Sequence, residues 1–394
     1  MTSLPKIPEE EFRLRQKKVQ ETLVEHHIDL LVAYADDRAV FGPAHARWLF
    51  DYAVHFEPAC ILVPAVGEPL IATGPESDAY IYASSYCKNV KIIEEFTHPE
   101  EEYPYSEIVS LREVIEDFQR ASGQQIRTVG LAGASGMPHH LYAALESAFG
   151  KPNMRPVDDL MTNLRAVKTE NEIKVIEYAY KLAEMGLHAA IGAIAEGRTE
   201  REVAAAAEYE MRKAGSEGMG IDTIVASGRE HTYPVLARTS LRQIRRGDLV
   251  LLTIAPRYEG YHGALGRPVV LGKPSPEMTY AMQAAIEAQH ETAKALKPGA
   301  LGTEIDRVAR SVIAKAGLSK HFVYSPVHSV GVIEFEPPIM SSRHAEAIRE
   351  NMIFSIDIPL FHTAWGGIRY EDGFHITATG ARRLQTIMPE IITL

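Results

Sequence analysis

A change in residue pattern near residues 158–166 divides this chain of 394 residues into two parts. Before the change, short apolar runs alternate with single helical stretches. After it, a long amphipathic helix is predicted to open at Thr169, because Glu172 three residues later completes a capping-box pattern. Since a chain of this length exceeds one ordinary hydrophobic core, we expect two domains, at residues 1–160 and 161–394.

The first part has the pattern of an α/β domain. Helical spacing of apolar residues over residues 9–26, followed by an apolar run over residues 28–33, predicts a helix that leads into a buried strand. A strand pair with a turn at Gly67 follows. The two glycines at positions 130 and 133 stand too close together for a dinucleotide-binding loop.

The second part has the pattern of an α+β domain, in which helices are interleaved with antiparallel strands. We predict helices over residues 199–214, 276–296 and 303–316. A strand pair is expected within residues 248–271, and two last strands over residues 352–360 and 370–377.

Composition excludes several classes of function. The apolar fraction of 46% and the charged fraction of 24% are those of a globular protein, and the net charge of -11 argues against a nucleic-acid partner. No apolar run is long enough to span a bilayer, and the first residues lack the apolar segment of a signal peptide. With two cysteines, Cys60 and Cys87, no disulfide framework is expected. We therefore expect a cytoplasmic protein without a nucleic-acid or membrane partner.

Several short motifs of the second part occur in a fixed order. They are RAVKTENEI at 165–173, GRTEREV at 197–203, SG at 227–228, GDLV at 247–250, HSVG at 328–331, EPP at 336–338 and WGGIRYED at 365–372. Together they resemble the pita-bread catalytic domain of creatinase, aminopeptidase P and prolidase, and residues 48–64 resemble the N-terminal domain of creatinase. The resemblance implies an α/β N-terminal domain, an α+β pita-bread C-terminal domain, a small-molecule substrate and a homodimer.

The resemblance also locates a metal site and shows what this chain has lost there. Metalloenzymes of the family hold two divalent ions with two aspartates, one histidine and two further carboxylates. Here the aspartate positions correspond to Thr253 and Ala264, whereas His328, Asp357 and Glu371 remain. Two carboxylates can neutralise only one divalent ion, so a dinuclear site is excluded.

Creatinase, which needs no metal, also resembles this chain in the Ala-Leu-x-Arg pattern at residues 264–267. That resemblance implies a creatinase-like hydrolase of a carbon–nitrogen bond in a small nitrogenous compound, without cofactor or metal. The expected catalytic residues are His231, His328, Asp357 and Glu371, because an imidazole titrates near neutral pH and carboxylates can orient it. The chain departs from creatinase at Gly266, where creatinase has a glutamate.

The expected substrate-binding residues are His55, Glu57, His262, Glu336 and Arg369. Two alternatives stay open. The first is a mononuclear-metal Xaa-Pro peptidase or prolidase, since three protein ligands suffice for one catalytic ion. The second is a catalytically silent binding module of the same fold.

Overall fold

The computed structural model describes residues 4–394. The chain forms two compact units, one of residues 7–165 and the other of residues 166–394 together with the described residues up to Lys6. No helix within residues 4–394 is long and apolar enough to cross a membrane.

The first unit is an α/β structure around a mixed sheet. Its strands are β1 (Leu30–Ala35), β2 (Ala59–Pro64), β3 (Leu70–Thr73), β4 (Val90–Ile93), β5 (Ile108–Val109), β6 (Val129–Ala132) and β7 (Met154–Pro156). Its helices are α1 (Glu9–Glu25), α2 (Ala44–Phe50), α3 (Asp78–Ser84), α4 (Leu111–Ser122), α5 (His139–Phe149) and α6 (Asp158–Ala166), which ends at the boundary of the unit.

Among the described residues, these strands lie in the order β5-β4-β3-β2-β1-β6-β7. Strand β1 pairs antiparallel with β2 and parallel with β6, and all six of its residues are buried. The predicted helix over residues 9–26 is confirmed as α1. The predicted strand begins two residues late, at Leu30, because the backbone turns through a positive φ at His27.

The second unit pairs helices with a large, mostly antiparallel sheet. Its helices are α7 (Glu170–Ala193), α8 (Glu200–Lys213), α9 (Gly228–Thr232), α10 (Pro276–Ala295) and α11 (Gly302–Lys315). Its strands are β8 (Gly218–Ser227), β9 (Leu249–Tyr258), β10 (Tyr261–His262), β11 (Leu265–Val270), β12 (Val327–Ser329), β13 (Glu336–Met340), β14 (Ile353–Thr363), β15 (Gly366–Thr377), β16 (Gly380–Arg383) and β17 (Ile392–Thr393).

Local sequence explains where the long helices start. Thr169 accepts a hydrogen bond from the amide of Glu172, whose carboxylate bonds back to the amide of Thr169, so the predicted capping box of α7 is confirmed. Thr199 and Glu202 form the same arrangement at the start of α8. Both helices thereby satisfy amide groups that the first helical turn leaves without a partner.

Strand register brings the positions of the expected site together. In the described part of the sheet the strand order is β10-β9-β11-β15-β14-β12-β13. Gly266 on β11 lies between Thr253 on β9 and Glu371 on β15, and Glu371 is in turn opposite Asp357 on β14. Four adjacent strands therefore carry one row of residues across the sheet. The apolar core under β14 and β15 is formed with α10 and α11.

Candidate metal centre

Three buried side chains of the second unit form a cluster that could hold a metal ion. His328, Asp357 and Glu371 each offer one ligand atom, and these atoms all lie within 4.8 Å of one another. Each of the three residues is at most 5% exposed. The strands explain the cluster, because Asp357 pairs with Glu371 while His328 on β12 pairs with Ser355, two residues before Asp357.

His328 is oriented by the backbone next to it. Its Nδ1 lies 3.1 Å from the carbonyl oxygen of Ser329, which can only accept a hydrogen bond, so Nδ1 carries the proton. Its Nε2 therefore faces the carboxylates, 3.7 Å from Oε1 of Glu371. Burial lowers the pKa of His328, but Glu371 and Glu334 outweigh burial and raise that pKa above its ordinary value.

The two carboxylates of the cluster have different surroundings. Oδ2 of Asp357 accepts a hydrogen bond from the hydroxyl of Tyr324 at 2.7 Å and lies 3.2 Å from Nε of Arg369. Oδ1 of Asp357 is buried without a partner among residues 4–394. Burial raises the pKa of Asp357 to about 6. For Glu371 burial also raises the pKa, but hydrogen bonding to His328 and the charge of Arg369 bring it below its ordinary value.

A third buried carboxyl group, that of Glu334, lies near the cluster. It is 4% exposed, and burial together with the charge of Glu371 raises its pKa to about 7. Neither Glu334 nor Tyr324 is among the site residues predicted from the sequence. The one sequence signal for Glu334 is its place between the motifs that contain His328 and Glu336.

These donors fit one divalent ion. Nε2 of His328 and Oδ1 of Asp357 are directed away from their other contacts, and Glu371 supplies a carboxylate oxygen, so one imidazole and two anionic oxygens can balance one divalent charge. They do not fit two ions. The hydroxyl oxygen of Thr253 lies 3.3 Å from Nη1 of Arg369, and Ala264 has no donor atom.

The contact between Ser355 and Glu371 allows a first prediction. The hydroxyl of Ser355 donates a hydrogen bond to Oε1 of Glu371 at 2.9 Å and so orients a ligand. We expect Ser355→Ala to weaken divalent-metal binding by about 10- to 100-fold, as is typical when a hydrogen-bond partner of a ligand is removed. Isothermal titration with Mn²⁺ measures this. An unchanged dissociation constant would contradict it, and Ser341→Ala, at a partly exposed serine of the same unit, is the control.

His231 lies in a separate cluster on α9. Its Nδ1 is 2.9 Å from Oε1 of Glu200, which is fully buried and also accepts hydrogen bonds from Ser227 and Ser240. Burial raises the pKa of Glu200, but the bonds from Ser240, Ser227 and His231 bring it below its ordinary value. The imidazole is thereby held by one nitrogen, and its side chain is 35% exposed.

The other residues that the sequence selected make contacts within their own units. His262 is fully buried and its Nδ1 lies 3.1 Å from the carbonyl oxygen of Gly331, while Glu336 pairs with Lys168 at 3.3 Å. In the first unit His55 is exposed, whereas the buried carboxylate of Glu57 accepts hydrogen bonds from the hydroxyl of Ser77 and the amide of Glu76. The substrate-binding roles of these residues stay predictions.

The burial of His262 predicts acid sensitivity. Desolvation lowers the pKa of His262 to about 4. Between about pH 6.5 and pH 4, His262 is therefore protonated in the unfolded chain but neutral in the folded one. Stability should therefore fall as the pH drops from about 6.5 to about 4, by at most about 3 kcal/mol. Urea unfolding across this pH range should show a smaller decrease in the free energy of unfolding for His262→Phe than for the unchanged protein. The exposed His188, replaced in the same way, should leave the fall unchanged.

Comparisons with known proteins agree with this fold. Residues 174–378 match Metallopeptidase family M24. A Xaa-Pro dipeptidase of Pyrococcus horikoshii is 31% identical over 84% of this chain and 89% of its own length, and one of Pyrococcus furiosus is 31% identical over 84% and 90%. The crystal structure of X-Pro aminopeptidase from Thermotoga maritima, 25% identical, has a TM-score of 0.80 and covers 96% of this chain and 99% of its own.

The fold and the buried cluster define a pita-bread protein of the creatinase, aminopeptidase P and prolidase class, with an α/β domain before an α+β domain. This confirms the predicted fold class. The chain belongs to Metallopeptidase family M24. The family assignment supports a hydrolase.

The prediction of a creatinase-like, metal-independent hydrolase without a cofactor is wrong. The family is one of metallopeptidases, the relatives are Xaa-Pro dipeptidases, and three buried ligands remain together in the structure. The error lay in following the resemblance to creatinase at residues 264–267, although the charge count itself allows one ion. Thr253 and Ala264 supply no carboxylate for a second ion, but the charges of Asp357 and Glu371 suffice for one.

Proposed function

We propose that this protein hydrolyses Xaa-Pro dipeptides with one divalent metal ion held by His328, Asp357 and Glu371. The observation that carries the proposal is the cluster itself, in which three buried ligand atoms lie within 4.8 Å of one another. The names of the two Pyrococcus relatives supply the substrate class. The earlier prediction of a mononuclear peptidase is thus the one we adopt.

The protein's own residues prepare this centre. Tyr324 and Arg369 fix one oxygen of Asp357 and leave the other for the ion, while Ser355 fixes Glu371. A bound divalent ion would supply Lewis acidity, polarising a substrate carbonyl and lowering the pKa of a water molecule. The burial of all three ligands limits competition from bulk water.

We propose that His231 transfers the proton, because it is the predicted catalytic histidine that is not one of the three metal ligands. Glu200 holds Nδ1 of the imidazole, so Nε2 is the nitrogen that exchanges a proton with the substrate or with water. The same carboxylate stabilises the imidazolium after it has accepted a proton.

We further propose a homodimer, which light scattering of the purified protein measures.

Metal content and substrate preference test the proposal together. After chelation and reloading with Mn²⁺, Co²⁺ or Zn²⁺, elemental analysis should find one ion per chain. The loaded protein should hydrolyse Leu-Pro faster than Leu-Ala, and the chelated protein should hydrolyse neither. Hydrolysis that survives chelation, or a protein that takes up no ion, would refute the proposal. One bound ion without hydrolysis of any dipeptide would instead identify a binding module.

A further inference from the structure

Tyr180 projects from α7 towards the strand that carries Glu371. A Cβ atom built on Gly373 would overlap both Cζ and the hydroxyl oxygen of Tyr180, so the end of the phenol ring occupies the place of a side chain at position 373. Side chains two residues apart on a strand point to the same face of the sheet. The phenol group therefore lies on the face of β15 that carries the side chain of Glu371.

The same place is next to Ala264, the position at which the resemblance to the family's metalloenzymes expects the second aspartate. Gly266 pairs with Glu371 across β11 and β15, and this register, continued by two residues, puts Ala264 opposite Gly373. A side chain at position 264 would share the face of Gly266 and point towards the phenol. The backbone of α7 packs directly against this segment, because a Cβ atom on Gly263 would overlap the backbone of Ala179 and Tyr180. Position 264 therefore cannot move away from the phenol without displacing the helix.

The hydroxyl of Tyr180 has an unusual environment for a purely structural group. It is fully buried and makes no hydrogen bond of ordinary geometry among the described residues, although the backbone of Ala264 is near enough to lower its pKa somewhat. Burial and the charges of Glu371 and Glu334 raise the pKa of Tyr180 well above its ordinary value. A neutral group therefore stands near two carboxyl groups and next to position 264.

We propose that the phenol ring of Tyr180 closes the second metal position of this centre. This inference rests on the proposed one-ion site and extends it, because it makes the number of ions depend on Tyr180 as well as on Thr253 and Ala264. Two aspartates alone should then fail to restore a second ion, because the aspartate at position 264 and the phenol compete for one volume.

Metal stoichiometry in restored variants tests the inference. We expect Thr253→Asp/Ala264→Asp to hold one Mn²⁺ per chain, and the same variant with Tyr180→Ala to hold two, with the electron-spin coupling of an ion pair. Adding Tyr180→Phe should leave one, since the ring remains. Adding Tyr178→Ala is the control and should also leave one, because the hydroxyl of Tyr178 bonds to the carbonyl of Ala214 on the other side of the helix.

The outcomes separate this inference from the proposed function. Two ions in the variant that keeps Tyr180, or in the Tyr180→Phe variant, would overturn it. So would a single ion in the Tyr180→Ala variant, provided that its circular dichroism and thermal melt match those of the aspartate pair. If that variant does not fold, an anomalous-scattering map of crystals of Thr253→Asp/Ala264→Asp decides the matter by showing one manganese peak or two. A parent protein that binds one ion but hydrolyses no dipeptide would refute the proposed function and leave this inference standing.

Discussion

Glu371→Gln is expected to abolish metal binding and to lower kcat/KM for Leu-Pro by about three orders of magnitude. A Lewis-acidic ion contributes several kcal/mol to the transition state, and each 1.4 kcal/mol corresponds to about tenfold in rate. The substitution keeps the size of the side chain but removes one of the two ligand charges, and it leaves His328 and Asp357 in place. Elemental analysis and steady-state kinetics measure the two effects.

The same substitution at Glu177 serves as the control. Glu177 forms an exposed ion pair with Arg382 in the same unit, so Glu177→Gln removes a carboxylate without touching the cluster. Its metal content and kinetics should match those of the unchanged protein. If Glu371→Gln retained one tightly bound ion, Glu371 would not be a ligand and the proposed centre would be wrong.

Much of the fold could be predicted because its signals are local. The capping boxes at Thr169 and Thr199 depend on residues three positions apart, and the structure confirms that helices start there. The predicted strand pair within residues 248–271 is less regular than expected. A positive φ at Gly260 and the short strand β10 interrupt it, and such features depend on packing rather than on composition.

The ligands could be located from motif order, but their neighbours could not. Tyr324 reaches Asp357 from a loop before β12, and Ser355 reaches Glu371 across two paired strands. Tyr180 lies on a helix that is distant from Gly373 in the chain. These contacts depend on strand register and on how helices pack against the sheet, neither of which a single sequence specifies at the resolution of one side chain.

A buried ion pair supports the strand that carries Glu371. Arg267 and Asp372 are both fully buried, and Nη2 of Arg267 lies 2.6 Å from Oδ1 of Asp372. Nη1 of Arg267 also donates hydrogen bonds to the carbonyl oxygens of Gly266 and Glu371, at 2.8 and 2.9 Å. The guanidinium thus links β11 to β15 directly behind the proposed ligand.

Arg267→Met should therefore destabilise the second unit by about 3–5 kcal/mol, because it leaves the buried carboxylate of Asp372 without its ion pair to Arg267. The thermal midpoint should fall by about 10 °C, given that 1 kcal/mol shifts it by roughly 2–4 °C in a domain of this size. Arg238→Met is the control, since Arg238 pairs with Asp222 in the same unit and both side chains are exposed, by 90% and 80%, so this substitution should leave the melt nearly unchanged. Equal shifts in the two melts would show that the buried pair adds nothing beyond a surface one. A large shift for Arg267→Met together with weaker Mn²⁺ binding would show that the pair also positions Glu371.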